Sequence, residues 1–143
     1  MITIKNSQRK IKVDMSALKR ALQKMLDSAG YPDFDLGVWL TTNATIRSYN
    51  KKYRKKDKPT DILSFSYHPK LKPGQKIVVS EPEDKNLGDL IISLEFAIAD
   101  ASNWDRSFKE HLHALCAHGI AHLLGYDHGP AMTRVENRLF VRS

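Results

Sequence analysis

Between Ser16 and Ala29 the apolar residues Leu18, Ala21, Leu22, Met25, Leu26 and Ala29 recur at the spacing of one helix face, which predicts a helix stopped by Gly30 and Pro32. Residues 2–5 ahead of it alternate as a strand does. Phe34 to Thr41 is dense in β-formers and predicts a second strand, after which Asn43 can N-cap a helix carrying Ile46, Tyr49, Asn50 and Tyr53. Asp57-Lys58-Pro59-Thr60-Asp61 is a turn, and Ile62 to Tyr67 a third strand. Leu87 to Ser93 predicts the fourth strand, and Leu94 to Ser102 a helix with Phe96, Ala97, Ile98 and Ala99 on its apolar faces. The most apolar helix starts at Ser107 or its neighbour and runs to Leu124. Pro130 suits the first turn of a last helix, with Thr133-x-x-Glu136 a competing capping-box start slightly later.

The stretch from His68 to Asn86 holds Pro69, Pro73, Gly74 and Pro82 among many charges. It reads as a long mobile loop, or a loosely held hairpin around Ile77-Val78-Val79. No repeat, low-complexity tract or domain boundary interrupts the pattern. Four short strands interleaved with helices imply an α+β fold, a single domain over 1–143. The expected architecture is a sandwich of a mixed sheet of about four strands with helices packed over it.

Chemistry enters near the end of the most apolar helix, in Ala117-His118-Gly119-Ile120-Ala121-His122-Leu123-Leu124-Gly125-Tyr126-Asp127-His128. His118 and His122 stand four apart, so a helix puts both imidazoles on one face. Gly125 sits where a left-handed residue can end the helix and let His128 return to the same point. Three neutral nitrogen ligands leave a fourth position open, the arrangement of catalytic zinc, whereas structural zinc is usually closed by four ligands. The sole cysteine, Cys116, cannot build a closed site. The expectation is one Zn²⁺ per chain at the end of a central helix, bound by His118, His122 and His128. His111, two turns before His118, is about 10 Å away at helical rise and too far to share the ion. For His111, His113 and His68 a surface or capping role is expected. Asp127 could orient a ligand histidine or bound water, or cap the turn.

At 143 residues, with 41% apolar and 27% charged, the chain has the length of one globular domain whose core needs no disulfide or structural metal. No apolar run approaches a membrane span, and Met1 to Lys5 lacks the apolar centre of a signal peptide. One unpaired cysteine fits a reducing compartment. The net charge of +7 makes an anionic partner plausible, because much of it is clustered. Lys51, Lys52, Arg54, Lys55, Lys56 and Lys58 form a dense positive run around one aromatic, Tyr53. Such a run suits nucleic acid as well as it suits a solvated helix face. Tyr53 could stack on a base, although its spacing from Ile46 and Tyr49 favours core packing.

Three stretches together resemble the YbeY family of metal-dependent endoribonucleases. His118-Gly119-x-x-His122-Leu123-x-Gly125-Tyr126-Asp127-His128 is similar to its H-G-x-x-H-L-x-G-Y-D-H signature. Asn50-x-x-Tyr53-Arg54-x-x-Asp57-x-Pro59-Thr60-Asp61-Ile62-Leu63-Ser64-Phe65 and Leu87-Gly88-Asp89-Leu90-Ile91-Ile92-Ser93 resemble two further family stretches in the same order. Ser66 stands where the family usually has proline, and Ala121 where a larger apolar residue is common. The resemblance implies hydrolysis of single-stranded RNA, 3′-end maturation of small-subunit ribosomal RNA and ribosome quality control. It also implies partners in the small ribosomal subunit and its assembly factors, in the cytoplasm or, alternatively, in a mitochondrion or another organelle. It carries the metal role onto His118, His122 and His128, and a functional arginine onto Arg54.

A zinc ion would lower the pKa of its water and polarise a phosphoryl oxygen. The planar fork of Arg54 would hold phosphate, with Lys51, Lys55, Lys56 and Lys58 as further backbone contacts. A second reading is an RNA- or ribosome-binding assembly factor whose metal is mainly structural. A zinc protease is a third, weakened because the residue after its first histidine should be a glutamate base and here is Gly119.

Overall fold

The computed structural model describes residues 1–140. Four strands, β1 (Ile2–Asn6), β2 (Asp35–Thr41), β3 (Ile62–Ser66) and β4 (Asn86–Ser93), form one mixed sheet in the order β1-β2-β4-β3. The first three neighbours run parallel, and β3 pairs antiparallel with β4 at the edge. Five helices pack around it: α1 (Met15–Ala29), α2 (Asn43–Arg54), α3 (Leu94–Asp100), α4 (Phe108–Leu123) and α5 (Pro130–Leu139). The α+β fold with a four-stranded mixed sheet is the one expected.

Side-chain alternation in the strands divides the core in two. Leu36, Val38, Leu40, Leu90 and Ile92 face Leu18, Leu22, Met25 and Leu26 of α1, Leu112, Cys116 and Ile120 of α4, and Met132, Val135 and Leu139 of α5. The opposite face carries a smaller cluster of Ile46, Leu63 and Ile91, capped by Trp39, Tyr49 and Phe65. Helix α4 is buried almost all round, as a helix central to a domain is. That burial corrects the expectation for two histidines: His111 and His113 are 2% and 4% exposed, not surface residues. Cys116 is buried on the same helix, and burial pushes its thiol up to about 12.

Local chemistry moves several boundaries. Helix α1 is capped by Asp14, whose carboxylate accepts from the Ala17 N–H at 3.0 Å. Helix α2 is capped by Thr42 rather than Asn43, because the Asn43 side chain accepts from Ser93 Oγ at 2.7 Å and its N–H donates to Glu95. Residues 101–104 leave the helical register of α3 and form a 3₁₀ turn, Ala101–Trp104. Ser107 and Glu110 make the capping box that starts α4. Helix α5 begins at Pro130, and the alternative capping box does not form: the Thr133 hydroxyl donates to the Gly129 carbonyl, and Glu136 is used elsewhere. The long connection after β3 contains no hairpin at residues 77–79. Ile77 packs on the core with its N–H on the Tyr31 hydroxyl, and a 3₁₀ turn, Pro82–Asp84, precedes β4. His68 has the capping role expected of it, its Nε2 lying 2.8 Å from the Asp84 carbonyl.

Candidate functional site

The C-terminus of α4 closes in a Schellman turn. The Gly125 N–H donates to the His122 carbonyl at 3.0 Å and the Tyr126 N–H to the Ala121 carbonyl at 3.1 Å, with Gly125 at φ 94°. This reversal carries the chain back, so that the rings of His118 and His122 each lie 5.4 Å from the ring of His128. The Nε2 atoms of His118 and His122 are 3.2 Å apart, and one ring nitrogen from each of the three histidines falls within 4.8 Å of the others. Two nitrogens on one tetrahedral zinc ion would stand about 3.3 Å apart. The first pair already meets that spacing, and His128, exposed on a turn, has the freedom to close the rest. The residues present therefore fit a metal ion.

Two features suit these rings to a metal ion. Glu136 of α5 places a carboxylate oxygen on Nδ1 of His118, which takes the proton at that nitrogen and leaves Nε2 as the free lone pair. Burial, helped by the neighbouring His118 and His128, holds His122 below the ordinary histidine range, so its neutral form is favoured. Asp127 is exposed beyond the turn, and its charge acts on His122 in the opposite direction. Gly119, directly after the first ligand, faces the sheet: a Cβ there would approach Leu90 Cδ2 to 2.7 Å and Ile62 Cδ1 to 2.8 Å. A glutamate at this position would point into the core, away from the ligand nitrogens.

The three histidines open into a cleft of about 810 Å³ that Arg54, Asp61, Ser64, Trp104, Arg106 and Glu136 also line. Arg54 reaches it from the last turn of α2. That turn is anchored by the buried Asn50, whose amide donates to the Lys58 carbonyl at 2.8 Å, and by an ion pair between Arg47 and Asp57 at 2.8 Å. No carboxylate pairs with Arg54 among the described residues. Lys51, Lys55, Lys56 and Lys58 are exposed around this helix end, but only Arg54 of the basic run lines the cleft. Tyr53 departs from the core-packing expectation: it is 55% exposed, stacked on Tyr49 and edge-on to Phe65, on the sheet face opposite the histidines.

Two cleft groups escape sequence reasoning. Glu136 lies 18 positions from its partner His118, and its only local signal points to a helix cap. The second is a cluster at the far end of the cleft. There His111 Nε2 makes no well-formed hydrogen bond, its nearest acceptor being Asp100 Oδ2 at 3.5 Å, while Trp104 Nε1 donates to the same carboxylate oxygen at 3.1 Å. Hydrogen bonds from Asn103 and Trp104 hold the Asp100 carboxyl below the usual range.

A family profile described as Endoribonuclease YbeY matches residues 3–140. Proteins named Endoribonuclease YbeY from Syntrophotalea carbinolica and Homo sapiens are 34% and 33% identical over 128 residues, covering 90% of this chain and 81% and 76% of theirs. One from Desulforamulus reducens is 38% identical over 131 residues, 89% of this chain and 83% of its own. A solution structure of a Thermotoga maritima protein superposes over 98% of this chain and 87% of its own with a TM-score of 0.63 at 22% identity, a likeness of fold.

Proposed function

The chain belongs to the YbeY family of endoribonucleases, and from that footing we propose that its cleft cuts single-stranded RNA with one zinc ion held by His118, His122 and His128. As a hydrolytic endoribonuclease it takes RNA as its substrate. What supports the finer reading is one juxtaposition: three converging imidazole nitrogens and an unpaired guanidinium, Arg54, share a cleft.

When bound, the ion supplies Lewis acidity towards a phosphoryl oxygen and a nucleophile at neutral pH. The protein's own groups do the rest. Glu136 holds the His118 ring in the tautomer that presents Nε2. Arg54 binds non-bridging phosphate oxygens through two parallel N–H groups and neutralises charge as it grows in the transition state. Asn50, tying α2 to the following loop, fixes where that fork stands. Lys51, Lys55, Lys56 and Lys58 hold flanking phosphates by charge without reading sequence. Asp127, on the turn before His128, adds negative charge near His122 that would favour a bound cation.

We further assign ribosomal RNA as the physiological target, including 3′-end maturation of the small-subunit RNA, with a role in ribosome quality control. The small subunit and its assembly factors are then the partners and the cytoplasm the compartment. Support for this comes from the family resemblance and the basic helix end. Among the described residues no helix is long and apolar enough to cross a membrane.

The experiment compares cleavage of a single-stranded RNA by metal-depleted protein, zinc-restored protein and a His122→Ala variant. Depletion should abolish cutting, zinc should restore it, and the variant should stay inactive in zinc. If metal-depleted protein binds ribosomal RNA normally and zinc restores no cutting, the metal is structural and the chain is an assembly factor.

A further inference from the structure

Trp104 is 59% exposed, and its indole is tethered at the N–H edge. Its Nε1–H is fixed on Asp100 Oδ2 at 3.1 Å, and Asn103 holds the other oxygen of that carboxylate at 2.9 Å. The His111 ring lies nearly parallel to the indole, 6.4 Å away between centroids, and the Arg106 guanidinium stands 5.3 Å from its centre. Arg106 Nη1 and His111 Nδ1 are 3.5 Å apart. The guanidinium lies over the indole ring, His111 lies towards its N–H edge, and much of the indole remains open to solvent. The guanidinium also stands 5.6 Å from the centre of Phe140, within cation–π range of both rings. A large apolar surface is thus tethered and open inside the cleft that contains the three histidines and Arg54.

We propose that Trp104 is a nucleobase-stacking subsite, taking the base of a nucleotide that flanks the scissile phosphate. This rests on the reading of the cleft as an RNA-cutting site. A tethered indole offers a π-face that any base can cover, which is how single-stranded nucleic acid is held without base-edge recognition. Arg106, within cation–π range of both Trp104 and Phe140, adds positive charge behind the indole, which suits the polyanionic strand. Register follows from α4. His111, towards the N–H edge of the indole, precedes His118 by seven residues, about 10 Å of helix. A base stacked there stands within about one nucleotide of the cut. Double-helical RNA keeps its bases stacked on one another and cannot offer one to Trp104, which adds a reason for single-strand preference.

The test uses the zinc-loaded enzyme and a single-stranded oligonucleotide carrying one abasic nucleotide, moved stepwise across the cut. With wild-type protein, one flanking position should raise KM roughly five-fold to a hundred-fold, the loss from removing one base–aromatic stack, with kcat little changed. Trp104→Ala should raise KM for the intact oligonucleotide by a similar factor and become insensitive to that abasic position. Trp104→Phe should keep most of the wild-type KM, and metal content should be the same in all three. Equal KM for intact and abasic substrates at every position, or a wild-type KM in Trp104→Ala, overturns the subsite and leaves Trp104 as a contact for a protein partner. Wild-type enzyme that neither binds nor cuts the intact oligonucleotide defeats the cleft reading itself, and the subsite with it.

Discussion

The carboxylate of Glu136 sits on Nδ1 of His118, the ring nitrogen opposite the one that approaches His122. One helix thereby sets the orientation of an imidazole carried by another. Replacing Glu136 with Ala should weaken metal binding by about 10- to 100-fold, the usual effect of losing such a supporting hydrogen bond, while leaving the circular dichroism spectrum unchanged. Competition with a zinc chelator measures this, and unaltered affinity would assign Glu136 to helix packing alone.

Arg54→Ala and Arg54→Lys should both lose RNA cleavage by about 10²- to 10³-fold, the scale of removing one donor from a transition-state oxyanion. Lysine cannot replace a bidentate fork with a point charge. Zinc content and melting temperature should stay at wild-type values, because the side chain is exposed and makes no ion pair among the described residues. Wild-type turnover by the lysine variant would reduce Arg54 to a solvated cation.

RNA affinity should fall steeply with salt. If Arg54 and the four lysines at positions 51, 55, 56 and 58 each neutralise one phosphate, the logarithm of affinity should fall with that of salt with a slope of about −3.5 for a single strand. Reversing two of the lysines to glutamate should flatten it. An oligonucleotide annealed to its complement should be cut far more slowly than the free strand. Salt-independent binding would remove the lysines from the substrate path.

Acid should destabilise the metal-free protein through His111. Burial, and secondarily the adjacent Arg106, hold this imidazole below the ordinary value, against an opposing pull from Asp100. Above about pH 6.5 both folded and unfolded forms are neutral. As pH falls past that point the unfolded chain takes up the proton first, so stability declines until the native ring is also protonated. Denaturant titrations at pH 7.5, 6.5 and 5.5 should show the decline, and His111→Gln should make it shallower. An identical decline in the variant would place the acid sensitivity elsewhere.

What the sequence made legible is what depends on near neighbours. The convergence of three histidines is written within eleven residues, His118 to His128, because helix spacing and one left-handed glycine suffice to bring them together. The four strands and five helices follow from alternation, periodicity and caps. What escaped depends on contacts between distant segments. Glu136 looked like a helix cap until α5 docked on α4. Asn43 and Thr42 are both capping residues, and only the arrival of Ser93 and Glu95 decides between them. The burial of His111 and His113 needs the sheet and the flanking helices around α4. Tyr53 shows the converse, since helical spacing placed it with Ile46 and Tyr49 while the sheet edge ends before it is covered.

Cys116, buried on α4 with its thiol pushed up to about 12, has a practical consequence. The chain contains no other cysteine, so the folded protein should be silent towards thiol reagents at neutral pH. A fluorophore or spin label attached to a cysteine introduced at an exposed site, such as Lys56 beside the cleft or Ser102 near Trp104, would then report from that position alone, with the wild-type thiol left in place.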